Sequence, residues 1–129
     1  MNFIKNLWRK YMQGAKANSF PCNLDEAVVA LDYTISLEDK ERFQEWECSE
    51  EIFVARLHHN LGRWIRNNWG LWDETSKLHK WFKALGIWHA DDMSGIIITS
   101  YYRQTHNLQR RFREQVKSYI EYWQKEEDR

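Results

Sequence analysis

The run from Arg56 to Trp72, R-L-H-H-N-L-G-R-W-I-R-N-N-W-G-L-W, constrains this chain more than any other stretch. It places Leu57, Leu61, Trp64 and Ile65 at i, i+3, i+4 spacing, continuing a register set by Phe53 or Val54. That spacing draws one apolar stripe down a helix and offers no strand alternation. Ser49 is a cap for this helix, which should run from Glu50 to about Asn67. Glu50 and Glu51 fall in its first turn and Arg63 and Arg66 in its last, as the helix dipole favours. Asn67-Asn68-Trp69-Gly70 should end it, because Asn and Gly tolerate left-handed backbone. The stretch is answered by G-I-W-H-A-D-D-M-S-G-I-I-I-T-S-Y-Y-R, from Gly86 to Arg103.

The same signals divide the rest of the chain. Residues 1–20 read as an N-terminal amphipathic helix and linker, and residues 21–129 as one helical domain. Ile4, Leu7, Trp8 and Tyr11 share a face near the start, and Gly14 and the only proline, Pro21, mark the linker over residues 13–23. Asn23 with Glu26 forms a capping box, opening a helix to about Ile35 with Ala27, Val28, Leu31 and Ile35 inward. Ser36 caps a short acidic helix, Leu37 to about Trp46, anchored by Phe43 and Trp46. Asp73 or Thr75 starts a helix with Leu78, Trp81, Phe82 and Leu85 on one face, stopped by Gly86. His89 caps the next from Ala90, with Asp91 and Asp92 in its first turn and Met93, Ile96, Ile97 and Ser100 inward. The β-branched run Ile96-Ile97-Ile98-Thr99 reads as helix rather than strand, because cap signals precede it and no second strand is on offer. A last helix carries Leu108, Phe112, Val116, Tyr119 or Ile120, and Trp123. The fold class is all-α: a compact single-domain bundle of five or six helices.

Composition narrows the function. The 129 residues suffice for one domain with a real core, and aromatic content is 16% with eight tryptophans. Nineteen basic residues balance nineteen acidic ones, against the basic excess expected of a duplex-DNA binder. The charge is segregated: residues 36–51 carry seven acids against two bases, and residues 103–117 five bases against one acid. Glu38, Glu41, Glu45 and Glu47 are therefore candidates for an acidic partner-binding face. Cys22 and Cys48 have no metal spacing and read as free thiols of a reducing compartment. No signal peptide and no run of about 18 apolar residues is present, so a cytoplasmic location is expected.

Catalytic signatures are missing. No histidine pair has the i, i+4 spacing of a helical metal site, and no GxSxG, P-loop or Gly-rich dinucleotide turn occurs. A metal-dependent enzyme would have to be built on His89 with Asp91 or Asp92 plus a distant histidine. No cofactor and no metal are expected. Arg63, Arg66, Asn67, Trp69 and Trp72 form a second candidate set, since guanidinium, amide and indole groups stack on bases and also make interface hot spots. The alternative is structural: the tryptophans fill a helix junction, and Arg66 and Asn67 tie up backbone carbonyls or pair with Asp91 or Asp92.

R-N-N-W-G-L-W (Arg66 to Trp72) followed by L-G-I-W-H-A-D-D-M-S-G-I-I (Leu85 to Ile97) resembles an uncharacterised bacterial domain family, a domain of unknown function. Its pattern is R-N-x-W-G-L-W, then H-P-D-D-M-S with an apolar run, and Ala90 stands here in place of the proline. The resemblance covers about Leu24 to Arg103. It implies a small all-helical protein and brings no reaction. The functional expectation is a small non-catalytic protein-binding module, of the immunity or inhibitor kind that neutralises a toxin or effector. An RNA- or nucleotide-binding module built on the Arg/Trp motif is the alternative.

Overall fold

The computed structural model describes residues 20–128. Among these residues there are six helical rods and no strand: α1 (Leu24–Thr34), α2 (Leu37–Glu45), a rod made of α3 (Glu50–Leu57), a π turn (His58–Gly62) and α4 (Arg63–Asn68), then α5 (Lys77–Ala84), α6 (Ala90–Thr105) and α7 (Phe112–Glu127). The all-α bundle read from the sequence is the fold of the chain. The amphipathic segment expected at residues 1–12 lies outside the described residues. Of the expected linker only its end is described, and that end is docked: Pro21 is buried and the Cys22 N–H donates to Glu26 Oε1 at 3.3 Å.

The caps explain the helix starts. Asn23 Oδ1 accepts from the Glu26 N–H at 2.9 Å, and Glu26 reciprocates by accepting from Asn23 Nδ2 at 3.1 Å. Ser36 and Ser49 accept from the N–H groups of Asp39 and Ile52. Each such cap satisfies one of the donors left open in the first turn and stabilises its helix by about 1 kcal/mol. Ser76 caps α5, accepting from the His79 N–H at 3.2 Å, where Asp73 or Thr75 was expected to begin it. Asp73 instead accepts from the Thr75 N–H and hydroxyl at 2.9 and 2.7 Å, a local turn that holds its carboxyl below the usual range. Gly70 sits at φ +70°, where a side chain would be strained, and its carbonyl accepts from Ser76 Oγ at 2.7 Å.

The core is built on α6. Met93, Ser94, Gly95, Ile96, Ile97 and Ile98 are all buried, so this helix is covered on every side. It packs against α1, α3, the π turn, α4, α5 and α7. Leu31, Ile65, Leu78 and Phe82 are among the side chains that close over it. Full burial of each such side chain stabilises by roughly 1.5–3 kcal/mol. The run Ile96-Ile97-Ile98 is helical because tertiary burial, with Asp91 and Asp92 in the first turn, outweighs the modest β preference of branched side chains.

Two apolar expectations fail at the π turn. Trp64, placed inward by the regular stripe, is 39% exposed, and Leu61 is half-buried. A π turn takes up one extra residue and rotates everything after it. Gly62, Ile65, Arg66 and Trp69 therefore face inward, and Trp64 turns out. Leu85 and Leu108 are also more exposed than expected, because each lies just outside its helix.

Candidate functional site

Arg66 is the charged side chain drawn deepest into the protein, at 5% exposure. The π turn aims it at the N-terminal turn of α6. Its Nη1 donates to Ser94 Oγ at 2.8 Å and its Nη2 to the His58 carbonyl at 3.0 Å. Ser94 Oγ in turn donates to the Asp91 carbonyl at 3.0 Å. Asp91 Oδ1 lies 3.3 Å from Arg66 Nε. The Nε–H does not point along that line and makes no hydrogen bond, so this contact is Coulombic. Asp91 is 58% exposed, and solvent screens its share. Gly62 makes the clasp possible: a Cβ there would stand 2.8 Å from Arg66 Nη1. The guanidinium thus staples the π turn, where the backbone ladder is interrupted, to the central helix.

The candidate set around Arg66 is divided by this geometry. Arg66 and Trp69 are buried, whereas Arg63, Asn67 and Trp72 are exposed, so the five side chains share no single face. Trp69 packs edge-on against Trp64 at 5.7 Å, and Trp72 Nε1 donates to Asn67 Oδ1 at 3.0 Å. The sequence reading had Arg66 tying up backbone carbonyls, of which His58 supplies one, and passed over Ser94. The one signal for Ser94 was a small polar residue inside an otherwise apolar face.

His89 occupies the cap position of α6 but makes no capping bond through its side chain. Its ring lies flat on Trp123 at 3.9 Å and 13°, and Trp88 stacks on it at 5.9 Å and 26°. Trp123 Nε1 donates to Asp92 Oδ2 at 2.9 Å. Burial pushes the Asp92 carboxyl above its usual value, against the opposing pull of that indole N–H. Tyr119, beside Asp92, is raised by burial and then by that carboxylate. His89, Asp91 and Asp92 are thus engaged with an indole stack and with Arg66. Among the described residues no group of three His, Cys, Asp or Glu side chains is arranged to hold a metal ion. His79, buried, has Nδ1 2.8 Å from the Leu71 carbonyl, which makes that nitrogen the protonated one.

The charged segments meet different fates. On α2 no residue is buried, and Glu38, Glu41, Glu45 and Glu47 are all exposed. Arg42 lies 3.7 Å from Glu38 and 3.8 Å from Asp39, while Glu41, Glu45 and Glu47 have no basic partner among the described residues. The helix is held from beneath by rings: Phe43 is 5.1 Å from Trp46 and 5.5 Å from Phe53. Lys40 adds an ion pair to Asp32 at 3.2 Å. Two of the five bases of residues 103–117 are consumed within the fold, and Arg111, Arg113 and Lys117 stay exposed. Arg103 grips Glu50 with two hydrogen bonds, of 2.5 and 3.0 Å, and Arg110 pairs with Asp25 and donates to Gln104 at 2.6 Å. Cys22 and Cys48 are free thiols. No described helix is long and apolar enough to cross a membrane.

The chain is similar to neryl diphosphate diphosphatase, chloroplastic, from Glycine max, at 32% identity over 76 residues. The match covers 59% of this chain and 13% of that protein, so the chain spans only a small part of its relative. No solved structure matches the chain. Residues 20–105, which hold both the Arg66 clasp and the acidic helix, match the family described as Domain of unknown function (DUF6794), and the chain belongs to that family.

Proposed function

We propose that this chain is a small non-catalytic protein-binding module that covers a basic surface of its partner, as an inhibitor or immunity protein covers the cleft of a toxin or effector. The observation that carries the reading is the state of α2. Its carboxylates Glu41 and Glu45, with Glu47 just beyond its end, are exposed and unpaired among the described residues, while Arg103 and Arg110 are neutralised within the fold. An acidic face on a fixed helix steers a basic partner and fixes its register. Phe43 and Trp46 supply the fixing by packing that helix onto Phe53. The Arg/Trp motif supports nucleic-acid binding less well, because Arg66 and Trp69 are turned inward.

The test is affinity capture with the tagged full chain and with the triple variant Glu41→Lys, Glu45→Lys, Glu47→Lys. A basic protein retained by the wild type and lost by the variant supports the reading. Identical proteins on both would sink it, as would nucleic acid co-purifying with both. Incubation with neryl diphosphate, the compound in the plant relative's name, checks the non-catalytic part: phosphate release proportional to protein concentration would overturn it.

A further inference from the structure

Among the described residues, α3 and α7 each pack on α6 and not on each other. The trough between them holds two adjoining hollows of about 470 and 340 Å³, which share Glu50, Glu51 and, from α6, Thr99. Both have the size of a small-molecule site. Tyr119 lines the larger one and lies over Gly95, where a Cβ would stand 2.9 Å from its hydroxyl. The larger hollow is rich in acceptors. Glu50 and Glu51 stand on the α3 side and Glu114 on the α7 side, all in first turns, where carboxylates are favoured. Against these three carboxylates the lining sets two guanidinium groups. Arg103 has its donors taken by Glu50 and the Arg110 carbonyl, and Arg111 lies 3.6 Å from Glu114. Glu51 is exposed and has no basic partner among the described residues.

Gln115 says what the hollow is short of. It is buried, at 8% exposure, and its Nε2 donates to Ser100 Oγ at 3.2 Å and to the Arg110 carbonyl at 2.9 Å. Those two bonds fix the amide, and its Oε1 has no donor among the described residues while the side chain lines the hollow. A buried acceptor left open calls for an N–H or O–H from a ligand. The donor must also be extended. Glu51 and Glu114 stand on different helices, and among the described residues no three carboxylate, imidazole or thiol groups converge on one point as a metal ion would need. Beyond Glu51 the smaller hollow turns apolar, with Val54 and Ala55 along α3, a surface for methylene groups. We propose that the trough binds a linear polyamine. One ammonium group is held by Glu114 and Gln115 Oε1, another by Glu51, and the methylene stem runs along Val54 and Ala55. This small-molecule site does not include Glu41, Glu45 or Glu47, and its test does not depend on the partner proposed for them.

The test titrates the full chain, labelled with nitrogen-15, with spermidine. Nuclear magnetic resonance reads the Gln115 side-chain amide, and calorimetry gives the affinity. Octane-1,8-diol, of the same chain length without charge, and magnesium ion, charged without length, are the controls. The expected result is one spermidine bound per chain, with the Gln115 amide signal moving on addition. Glu51→Gln should bind about tenfold more weakly, the loss of one charged hydrogen bond, and keep its fold because that side chain is exposed and unpaired. Glu45→Gln, on α2, should bind as the wild type does. A Gln115 amide that stays still, or an unchanged affinity in Glu51→Gln, would overturn the proposal. So would octane-1,8-diol binding as tightly as spermidine. An equal loss in Glu45→Gln, or an equal shift with magnesium, would overturn it too, by reducing the effect to diffuse attraction of cations to an acidic surface.

Discussion

Replacing Arg66 tests whether the Arg56–Trp72 stretch serves the fold. Arg66→Met keeps length and apolar stem but removes both anchored donors. A hydrogen bond from a charged group contributes about 1.5–3 kcal/mol net, and two are lost, to Ser94 and to the His58 carbonyl. Ser94 retains the Asp91 carbonyl, so the orphan is the His58 carbonyl at the π turn. The ion pair adds little, because Asp91 is more than half exposed. Relief from burying the guanidinium offsets part of the loss. The expected net is about 3 kcal/mol, which for a domain of this size lowers Tm by about 12 °C. Thermal and urea unfolding followed by far-ultraviolet circular dichroism would measure it. Arg66→Lys should lose more than half as much, because one ammonium on a single stem does not reproduce the fork. Asp91→Asn should cost less than about 1 kcal/mol. A wild-type Tm in Arg66→Met would refute the clasp. A loss in Asp91→Asn as large as in Arg66→Met would show that the ion pair, not the hydroxyl and carbonyl anchors, holds the turn.

Gly62→Ala should destabilise by about 1–3 kcal/mol, since its Cβ meets an Arg66 Nη1 that cannot move without breaking its bond to Ser94; an unchanged urea midpoint would contradict the packing. Asp92 carries a carboxyl raised by burial, so its contribution favours the folded state at acid pH and fades as pH rises through the folded value. Asp92→Asn should therefore gain stability relative to wild type between pH ~4 and neutrality, and parallel stability–pH curves would show that the group does not titrate differently on folding. Glu50→Gln should weaken the two-bond grip of Arg103 and cost about 1 kcal/mol, measured by the same unfolding curves, with no change expected if solvent already screens the pair.

Much of the fold was legible because its signals are local. Asn23, Ser36 and Ser49 each stand immediately before an apolar stripe, and each caps the helix it announces. The Ile96–Ile98 run was read as helix from His89 and the two acids that follow it, and the run is helical although His89 makes no capping bond through its side chain. The π turn was not legible, because nothing in H-H-N-L-G states that an extra residue will be taken up there. That single insertion turned Trp64 outward and Arg66 inward. Near α5, Asp73, Thr75 and Ser76 are all able to cap, and only the path of the chain through Gly70 selects Ser76. At the candidate site, a pairing of Arg66 with Asp91 could be anticipated from residue types. The stacking of His89 on Trp123 could not, because it joins the start of one helix to the far end of another. Charge segregation was visible in composition, but its meaning changed: Arg103 and Arg110 of the basic segment are spent on Glu50 and Asp25, Arg111, Arg113 and Lys117 stay exposed, and the acidic segment keeps Glu41, Glu45 and Glu47 for solvent.

The most direct measurement is the association rate of the captured partner with the wild-type chain and with the Glu41, Glu45, Glu47 charge-reversal variant, at low and at physiological salt. If α2 steers a basic partner, the wild-type rate falls by about tenfold or more as salt rises, and the variant is slow and nearly salt-independent. Equal rates for the two proteins, with the same dependence on salt, would contradict the account.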